Sequence, residues 1–216
     1  MLLSVTATAL IMRPLIVRAK QEAYDAKAQV AALTQGTDPT KDATRGARGE
    51  SGDGVDDPWV ASGTFTTGDA TLDEEVKAFC DGICTTDQGR DEAAFAVYTA
   101  VALSESVERD DAQDPSGAQW RIDYARKYYE HDCSGNCYEF SAFIMYCLRY
   151  LGYDDALAEG VILEYQSGDW GDHCLVFVTN EDGESCLCDT SLGVDGWMLS
   201  SGVYNYEVQD FEGTRA

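Results

Sequence analysis

The chain has 216 residues, enough for one substantial domain with a tail or for two small ones. Its hydrophobic content of 44% and aromatic content of 11% are those of a globular protein and argue against a disordered chain. The 15 Lys and Arg residues against 39 Asp and Glu residues give a formal net charge of −24. A surface this acidic repels phosphate backbones and anionic lipid, so we expect no nucleic-acid partner and interpret the charge as a solubilising coat.

Residues 1–35 form an N-terminal segment of helical composition. Leu2 to Met12 are apolar, but Arg13 and Pro14 interrupt the run before it reaches the roughly 20 residues of a spanning helix. No basic segment precedes it, as a signal peptide would require. Two interpretations stay open. One is the remnant of a membrane anchor, which predicts a tethered protein in the cell envelope or another extracytoplasmic site. The other is an amphipathic helix in a cytoplasmic protein.

The composition changes sharply after this segment. From Gly36 to Gly63 the residues are mostly Gly, Asp, Thr, Ser, Pro and Arg, without an apolar period before Trp59. Such a stretch buries too little apolar area to offset its ordering entropy. The sequence therefore predicts a flexible linker over residues 36–70 and a folded domain over residues 71–216.

Helices are predicted in the first half of this domain. Thr71-Leu72-Asp73-Glu74 resembles a capping box, and the helix that follows would turn Val76 and Phe79 inward. A longer helix is predicted over Asp91 to Arg109, and another starting at Asp114-Pro115-Ser116.

A further helix is predicted to begin at Cys137 and to end before Gly152, a residue suited to a left-handed C-terminal cap. Its apolar residues recur at spacings of three and four and so share one face: Phe140, Phe143, Ile144, Cys147, Leu148 and Leu151. A cysteine at a helix N-terminus faces unpaired backbone N–H groups and the positive end of the helix dipole. Both stabilise the thiolate, which is the reactive form of the side chain.

After Gly152 the apolar pattern alternates, which is typical of strands. Strands are predicted over residues 156–165, 173–180, 185–190 and 204–211, and the Asp182-Gly183 pair indicates a hairpin between the second and the third. Helices followed by an antiparallel sheet predict an α+β domain.

Eight cysteines are more than packing alone normally requires. If Cys137 is a nucleophile, seven remain, and an odd number cannot all pair within the chain. Cys80-x-x-x-Cys84 and Cys186-x-Cys188 lack the Cys-x-x-Cys spacing of structural zinc sites, and only two histidines are present. We therefore expect neither a metal nor a cofactor.

Three residues form the predicted catalytic site. Cys137 starts its helix, His173 opens a strand, and Asp189 ends the next strand of the hairpin. Adjacent strands bring side chains to about 5 Å, so His173 and Asp189 could meet. In the general logic of a triad, Cys137 attacks an acyl carbon, His173 takes and returns the proton, and Asp189 orients the imidazole.

Alternatives exist around each of these residues. Asp172, beside His173, is the rival orienting carboxylate. His131 is the only other histidine and could line the site or supply the second oxyanion donor. Trp170 and Trp197 are candidates to flank the substrate cleft, although structural packing explains them equally well.

The same residues resemble the transglutaminase-like superfamily of the papain-like fold. Gly135-Asn136-Cys137 matches the family's Gly-x-Cys at the head of a buried helix, His173 leads an apolar strand, and Asp189-Thr190-Ser191 matches its Asp followed by a small polar residue. The spacings of 36 and 16 residues suit the family, and the resemblance covers Leu72 to Phe211. Two departures are Thr190, where the family often has Pro, and Cys174 directly after the histidine.

The resemblance implies N-terminal helices packed on an antiparallel sheet and attack on an amide or ester to give a thioester, which water or an amine resolves. The small size, without recognisable flanking β-sandwich domains, favours a bacterial-type enzyme. Hydrolysis of a peptide or isopeptide bond in a peptide or protein substrate is the first expectation, and amine transfer is the second. A non-catalytic peptide-binding module and a structural envelope protein are the alternatives from other classes.

Overall fold

The computed structural model describes residues 60–107, 117–165, 167–209 and 211. The predicted segment 1–35 and most of the predicted linker lie outside these residues, so the membrane tether stays a prediction. Within the described part of the chain, no helix is long and apolar enough to cross a membrane. The described residues form helices followed by an antiparallel sheet, which agrees with the predicted α+β class.

The α-helices of the described residues all precede this sheet. They are α1 (Ala70–Ile83), α2 (Arg90–Ala102), α3 (Trp120–Glu130) and α4 (Cys137–Tyr150). Val76 and Phe79 of α1 are buried, as predicted.

Two helix boundaries differ from the prediction. The N-cap of α1 is Asp69, whose carboxylate accepts from the N–H groups of Thr71 and Leu72, so a capping box led by Thr71 is wrong. Helix α2 ends at Ala102 rather than at Arg109, because the chain turns at Ser104 and enters a short strand. The predicted start of α3 at residues 114–116 lies outside the described residues, and the helix begins at Trp120.

Helix α4 is buried on all sides and forms the centre of the domain. The six apolar residues predicted to share one face are buried, but so are Ser141, Ala142 and Met145 between them. The prediction of a one-sided stripe is therefore wrong in extent, because helices cover one side of α4 and the sheet covers the other. The Phe143 ring lies 5.0 Å from Phe79 of α1 and 4.6 Å from Tyr128 of α3, centroid to centroid. These contacts fix the axis of the helix that carries Cys137.

Two small strands precede α4. Strand β1 (Glu105–Ser106) pairs in parallel with β2 (Ser134–Gly135), directly before Cys137. The main sheet follows with β3 (Leu157–Glu164), β4 (Trp170–Thr179), β5 (Ser185–Cys188), β6 (Leu199–Ser200) and β7 (Tyr206–Val208). Its order is β6-β5-β4-β3-β7, and all neighbours are antiparallel.

Strand β4 lies at the centre of this sheet and starts at Trp170, three residues before the predicted start. Four consecutive residues, His173 to Val176, are buried because both faces of the strand are covered. Cys174 and Val176 belong to the core under the helices, whereas Leu175 packs with Leu163 and Leu187 on the opposite face. The predicted hairpin between β4 and β5 is present, with Gly183 at φ 78°, a left-handed conformation that suits glycine.

The last residues of the predicted linker contact the domain. The backbone N–H of Ser62 donates to the carbonyl oxygen of Tyr150 across 3.0 Å. The Phe65 ring packs edge-on against the Tyr150 ring, with 5.4 Å between the centroids. This part of the chain therefore covers the C-terminal end of α4.

Candidate active site

The start of α4 is built by three consecutive residues. Gly135 ends β2, and a Cβ atom there would lie 2.4 Å from Oε2 of Glu139, so only glycine leaves room for that carboxylate. Oδ1 of Asn136 accepts from the N–H groups of Tyr138 (3.0 Å) and Glu139 (3.1 Å), and Oε2 of Glu139 accepts from the N–H of Asn136 (3.1 Å). This reciprocal capping box places Cys137 as the first helical residue.

The capping box changes one expectation about the thiol. The N–H groups of Tyr138 and Glu139 are satisfied by Asn136 and do not face the Cys137 thiol as unpaired donors. The backbone N–H of Cys137 itself has no partner in the part of the chain that the structure describes. One backbone donor beside the thiol is therefore available to a ligand.

His173 and Asp189 meet as the sequence suggested. Nε2 of His173 lies 2.9 Å from Oδ1 of Asp189, and the two residues are only 6% and 1% exposed. The Cys137 side chain acts on the same imidazole by hydrogen bonding and by charge. Since Nε2 is engaged with Asp189, Nδ1 is the ring nitrogen left for the thiol. The structure thus brings together the three residues of the predicted site.

A hydrogen bond also joins the helix to the strand beside this site. Oγ of Ser141, one turn after Cys137, donates to the carbonyl oxygen of Cys174 across 2.9 Å. Cys174 directly follows His173, so this bond holds the first turn of α4 against the strand that carries the imidazole.

The Asp189 carboxylate is held by more than His173. Oδ1 also accepts from the backbone N–H (2.9 Å) and the hydroxyl (2.6 Å) of Ser191, and Oδ2 accepts from the Tyr204 hydroxyl (2.8 Å). Asp189 is the N-cap of a 3₁₀ helix over Thr190–Gly196, which explains the bond from the Ser191 N–H. Both carboxylate oxygens are therefore fixed by donors.

The backbone of Asp189 is fixed from the opposite side. The Tyr98 hydroxyl lies 2.9 Å from the carbonyl oxygen of Asp189 and 2.7 Å from that of Gly193 and donates to this pair. The N–H of Asp189 donates to the carbonyl oxygen of Gly196 across 2.9 Å. A Cβ atom on Gly196 would lie 1.8 Å from the carbonyl oxygen of Asp189, so the close approach requires glycine.

The electrostatics follow from these contacts. Burial acts to lower the pKa of His173, but Asp189 and then Cys137 outweigh it and raise the pKa to about 10. Burial acts to raise the pKa of Asp189, but the bond and charge of His173, helped by Ser191 and Tyr204, lower it to about 2. Near neutral pH the pair is therefore an imidazolium and a carboxylate.

Asp172, the rival carboxylate, has a different partner. Its Oδ1 accepts from the Tyr138 hydroxyl across 2.6 Å, and its side chain is exposed at the surface of β4. Asp189 is the carboxylate on the His173 ring.

The remaining candidate residues, Trp170, Trp197 and His131, have different surroundings. Trp170 is 47% exposed at the start of β4, whereas Trp197 packs against Phe95 and Tyr98 with ring centroids 5.9 and 5.1 Å apart. Nδ1 of His131 lies 3.9 Å from Oε1 of Glu139, the residue of the capping box. Trp197 therefore has a packing role, and His131 contacts the capping residue Glu139 in the first turn of α4.

The cysteines divide by exposure. All eight are described, all are thiols, and only Cys133 and Cys137 are partly exposed. In the described residues no group of three or more His, Cys, Asp and Glu side chains is arranged to hold a metal ion. The chain matches no protein-family model, and a search of curated proteins gave no match.

Two functional contacts went beyond the sequence prediction. The Asp189-x-Ser191 spacing is an N-cap signal and could have indicated the serine. Tyr204 lies 15 residues further along the chain, and no local pattern indicates its contact with Asp189.

Proposed function

We propose that this chain is a cysteine-dependent acyl-transfer enzyme of transglutaminase-like, papain-like fold, with Cys137, His173 and Asp189 as its catalytic triad. The activity that these residues support best is hydrolysis of a peptide or isopeptide bond in a peptide or protein substrate. Transfer of the same acyl group to an amine is the variant of this chemistry in which an amine replaces water.

One observation carries the proposal. Side chains from two other segments, one at the start of α4 and one directly after β5, act on the imidazole that β4 carries. A buried histidine with a structural role needs its polar atoms satisfied, but it does not need a thiol at a helix N-terminus on one nitrogen and a fully clamped carboxylate on the other. This combination supports a nucleophile, a base and an orienting group.

The first half of the reaction forms the thioester. The Cys137 thiolate adds to the carbonyl carbon, a C–S bond forms, and the π-electron pair moves to the oxygen, where the N–H of Cys137 donates a hydrogen bond. When the carbonyl reforms, the C–N bond breaks and the amine leaves with the proton of the His173 imidazolium. The thiolate is the reactive form of the side chain in this attack.

The second half releases the acyl group. Neutral His173 takes a proton from water, the oxygen adds to the thioester carbon, and the C–S bond breaks to release a carboxylic acid, which leaves the Cys137 thiolate beside the His173 imidazolium. Asp189 holds the ring so that Nδ1 faces the reacting atoms, and it favours the neutral tautomer with the proton on Nε2. It also stabilises the charged ring in both halves of the reaction.

The test uses purified protein and a mixed peptide library, with and without an added primary amine, followed by mass spectrometry. Wild type and the matched control Cys133→Ala are expected to give cleaved or amine-modified products, and Cys137→Ala is expected to give none. Cys133 is the suitable control because it is the other partly exposed cysteine. Equal turnover by wild type and Cys137→Ala would refute the proposal. No turnover by wild type, together with retained peptide binding, would instead identify a non-catalytic peptide-binding module.

A further inference from the structure

A single backbone N–H beside the thiol is half of what acyl transfer needs, because the developing oxyanion is normally held by two donors. The other hydroxyl groups near the site are committed. The Tyr138 hydroxyl donates to Asp172, and the Tyr204 hydroxyl donates to Asp189. Tyr165 is different, since its hydroxyl has no hydrogen-bond partner within the described residues.

The β3–β4 turn fixes the position of Tyr165. Its backbone N–H donates to the carbonyl oxygen of Asp169, and its carbonyl oxygen accepts from the N–H of Gly168, both across 2.8 Å. This turn folds the Tyr165 ring back over strand β4. The ring is anchored at its backbone while its side chain remains 44% exposed.

Gly171 makes room for the ring. A Cβ atom on Gly171 would lie 2.5 Å from Cε2 of the Tyr165 ring and 3.1 Å from its hydroxyl oxygen. Residues two apart on a strand share a face, so the face of Gly171 is also the face of His173. The Leu163–Gly171 and Val161–His173 pairs continue without a break in the register. The tyrosine therefore lies on the strand next to the catalytic imidazole.

The Tyr165 hydroxyl interacts electrostatically with residues in and beside the proposed site. Burial raises its pKa, and electrostatic interactions with Cys137, Asp172 and Asp189 raise it further, with Cys137 first among them. The phenol consequently stays protonated and remains a donor near neutral pH.

We propose that the Tyr165 hydroxyl, together with the backbone N–H of Cys137, donates a hydrogen bond to the substrate carbonyl oxygen as the thiolate adds to its carbon. This inference rests on the proposed function and assigns that site its second oxyanion donor. In the step, the C–S bond forms, the carbonyl π bond breaks, and the electron pair that moves to oxygen is met by these two donors. Tyr165 would be a catalytic residue, and its exposed ring would form a wall of the substrate cleft.

The experiment separates attack on a carbonyl from attack on an alkyl carbon. N-Acetyl-glycyl-glycinal is a peptide aldehyde whose addition to a thiol gives a thiohemiacetal with an oxygen in the oxyanion position. Iodoacetamide alkylates the same thiol without forming such an oxygen. Aldehyde affinity is measured as protection of Cys137 from iodoacetamide, quantified by peptide mass spectrometry, in wild type, Tyr165→Phe, Gly171→Ala and the control Tyr206→Phe.

The expected result is a weakening of aldehyde binding by about tenfold in Tyr165→Phe, as for loss of one hydrogen bond to the oxygen of the adduct, with an unchanged rate of alkylation. Gly171→Ala is expected to weaken aldehyde binding as well, because the new methyl group displaces the ring. Tyr206→Phe should match wild type, since the Tyr206 ring packs on Phe177.

Three outcomes would overturn the inference. Wild-type aldehyde affinity in Tyr165→Phe would remove the hydroxyl from the reaction, and wild-type affinity in Gly171→Ala would contradict the placement of the ring. An equal loss of alkylation rate would show that Tyr165 acts on the thiol rather than on the carbonyl oxygen. Absence of aldehyde protection in wild type would overturn the proposed function itself, which is a separate result.

Discussion

The Tyr204 hydroxyl donates to Oδ2 of Asp189 across 2.8 Å, while His173 lies on Oδ1 of the same carboxylate. The tyrosine therefore restrains the carboxylate from the oxygen that the imidazole does not use. Ser191 adds two donors to Oδ1, so the orientation of the carboxylate is fixed by contacts other than the one with the imidazole. Under the proposed function Tyr204 is a positioning residue, because it would act through Asp189 and His173.

The substitution Tyr204→Phe tests this role. Removing a hydrogen bond to a charged acceptor should lower the free energy of unfolding by about 1.5–3 kcal/mol and let the Asp189 carboxylate rotate. We expect kcat to fall several-fold with KM unchanged, since Tyr204 acts on the base and not on the substrate. Steady-state kinetics on a substrate found in the peptide library provides the measurement, with Tyr206→Phe as the matched control. A wild-type kcat in Tyr204→Phe would show that Ser191 alone holds the carboxylate.

The pKa of His173 provides a second prediction. The chain has only two histidines, His131 and His173, so the imidazole C–H resonances can be followed by NMR and assigned with His131→Asn. In wild type the His173 resonance should titrate near pH 10, because Asp189 and Cys137 stabilise the charged ring. In Asp189→Asn the burial of the ring is no longer opposed by a carboxylate, so the midpoint should move downward by several pH units.

The direction of this shift decides the interpretation. The imidazolium is present below the pKa of the ring and is lost above it. Asp189→Asn should therefore lower the pH at which activity is lost on the alkaline side of the pH profile. An unshifted midpoint in Asp189→Asn would mean that Asp189 does not stabilise the charged imidazole.

Gly196 gives a test of the support beneath the site. In Gly196→Ala the methyl group would meet the carbonyl oxygen of Asp189 at 1.8 Å, and backbone atoms cannot move aside as a flexible side chain can. We expect a loss of about 1–3 kcal/mol in the free energy of unfolding, as for overpacking of a core. The control is Gly202→Ala, because nothing lies within 4 Å of a Cβ atom at Gly202. Urea denaturation measures both variants, and equal stabilities would contradict the tight approach of the chain at Asp189.

The part of the fold predicted from sequence is the part with strong local patterns. The start of α4 at Cys137, the hairpin at Gly183 and the order of helices before the main sheet follow from capping, turn chemistry and periodicity. The meeting of His173 and Asp189 followed from the adjacency of β4 and β5, although the prediction that Asp189 ends the strand is wrong: β5 ends at Cys188, and Asp189 caps the 3₁₀ helix that follows.

The features that could not be predicted from the sequence depend on tertiary contacts. Complete burial of α4 arises because the sheet covers the side that the helices leave open, and a single-helix pattern carries no information about a second covering layer. The bonds from Tyr204 and Tyr98 to Asp189 join residues 15 and 91 positions apart, beyond the reach of any local motif. Glycines 135, 171 and 196 are explained only by the side chain or carbonyl oxygen that each one admits.

The central claim is that Cys137 is a nucleophile activated by His173, and the most direct measurement is the rate of iodoacetamide alkylation of each cysteine at pH 6. Cys133 is the internal reference, since it is also partly exposed but does not act on the imidazole. An ordinary thiol with a pKa of about 8.5 is less than 1% ionised at this pH, and the thiolate is the form that iodoacetamide alkylates. We predict that Cys137 reacts at least tenfold faster than Cys133 in wild type and that His173→Ala removes the difference. Equal rates for the two cysteines in the wild-type protein would contradict the account.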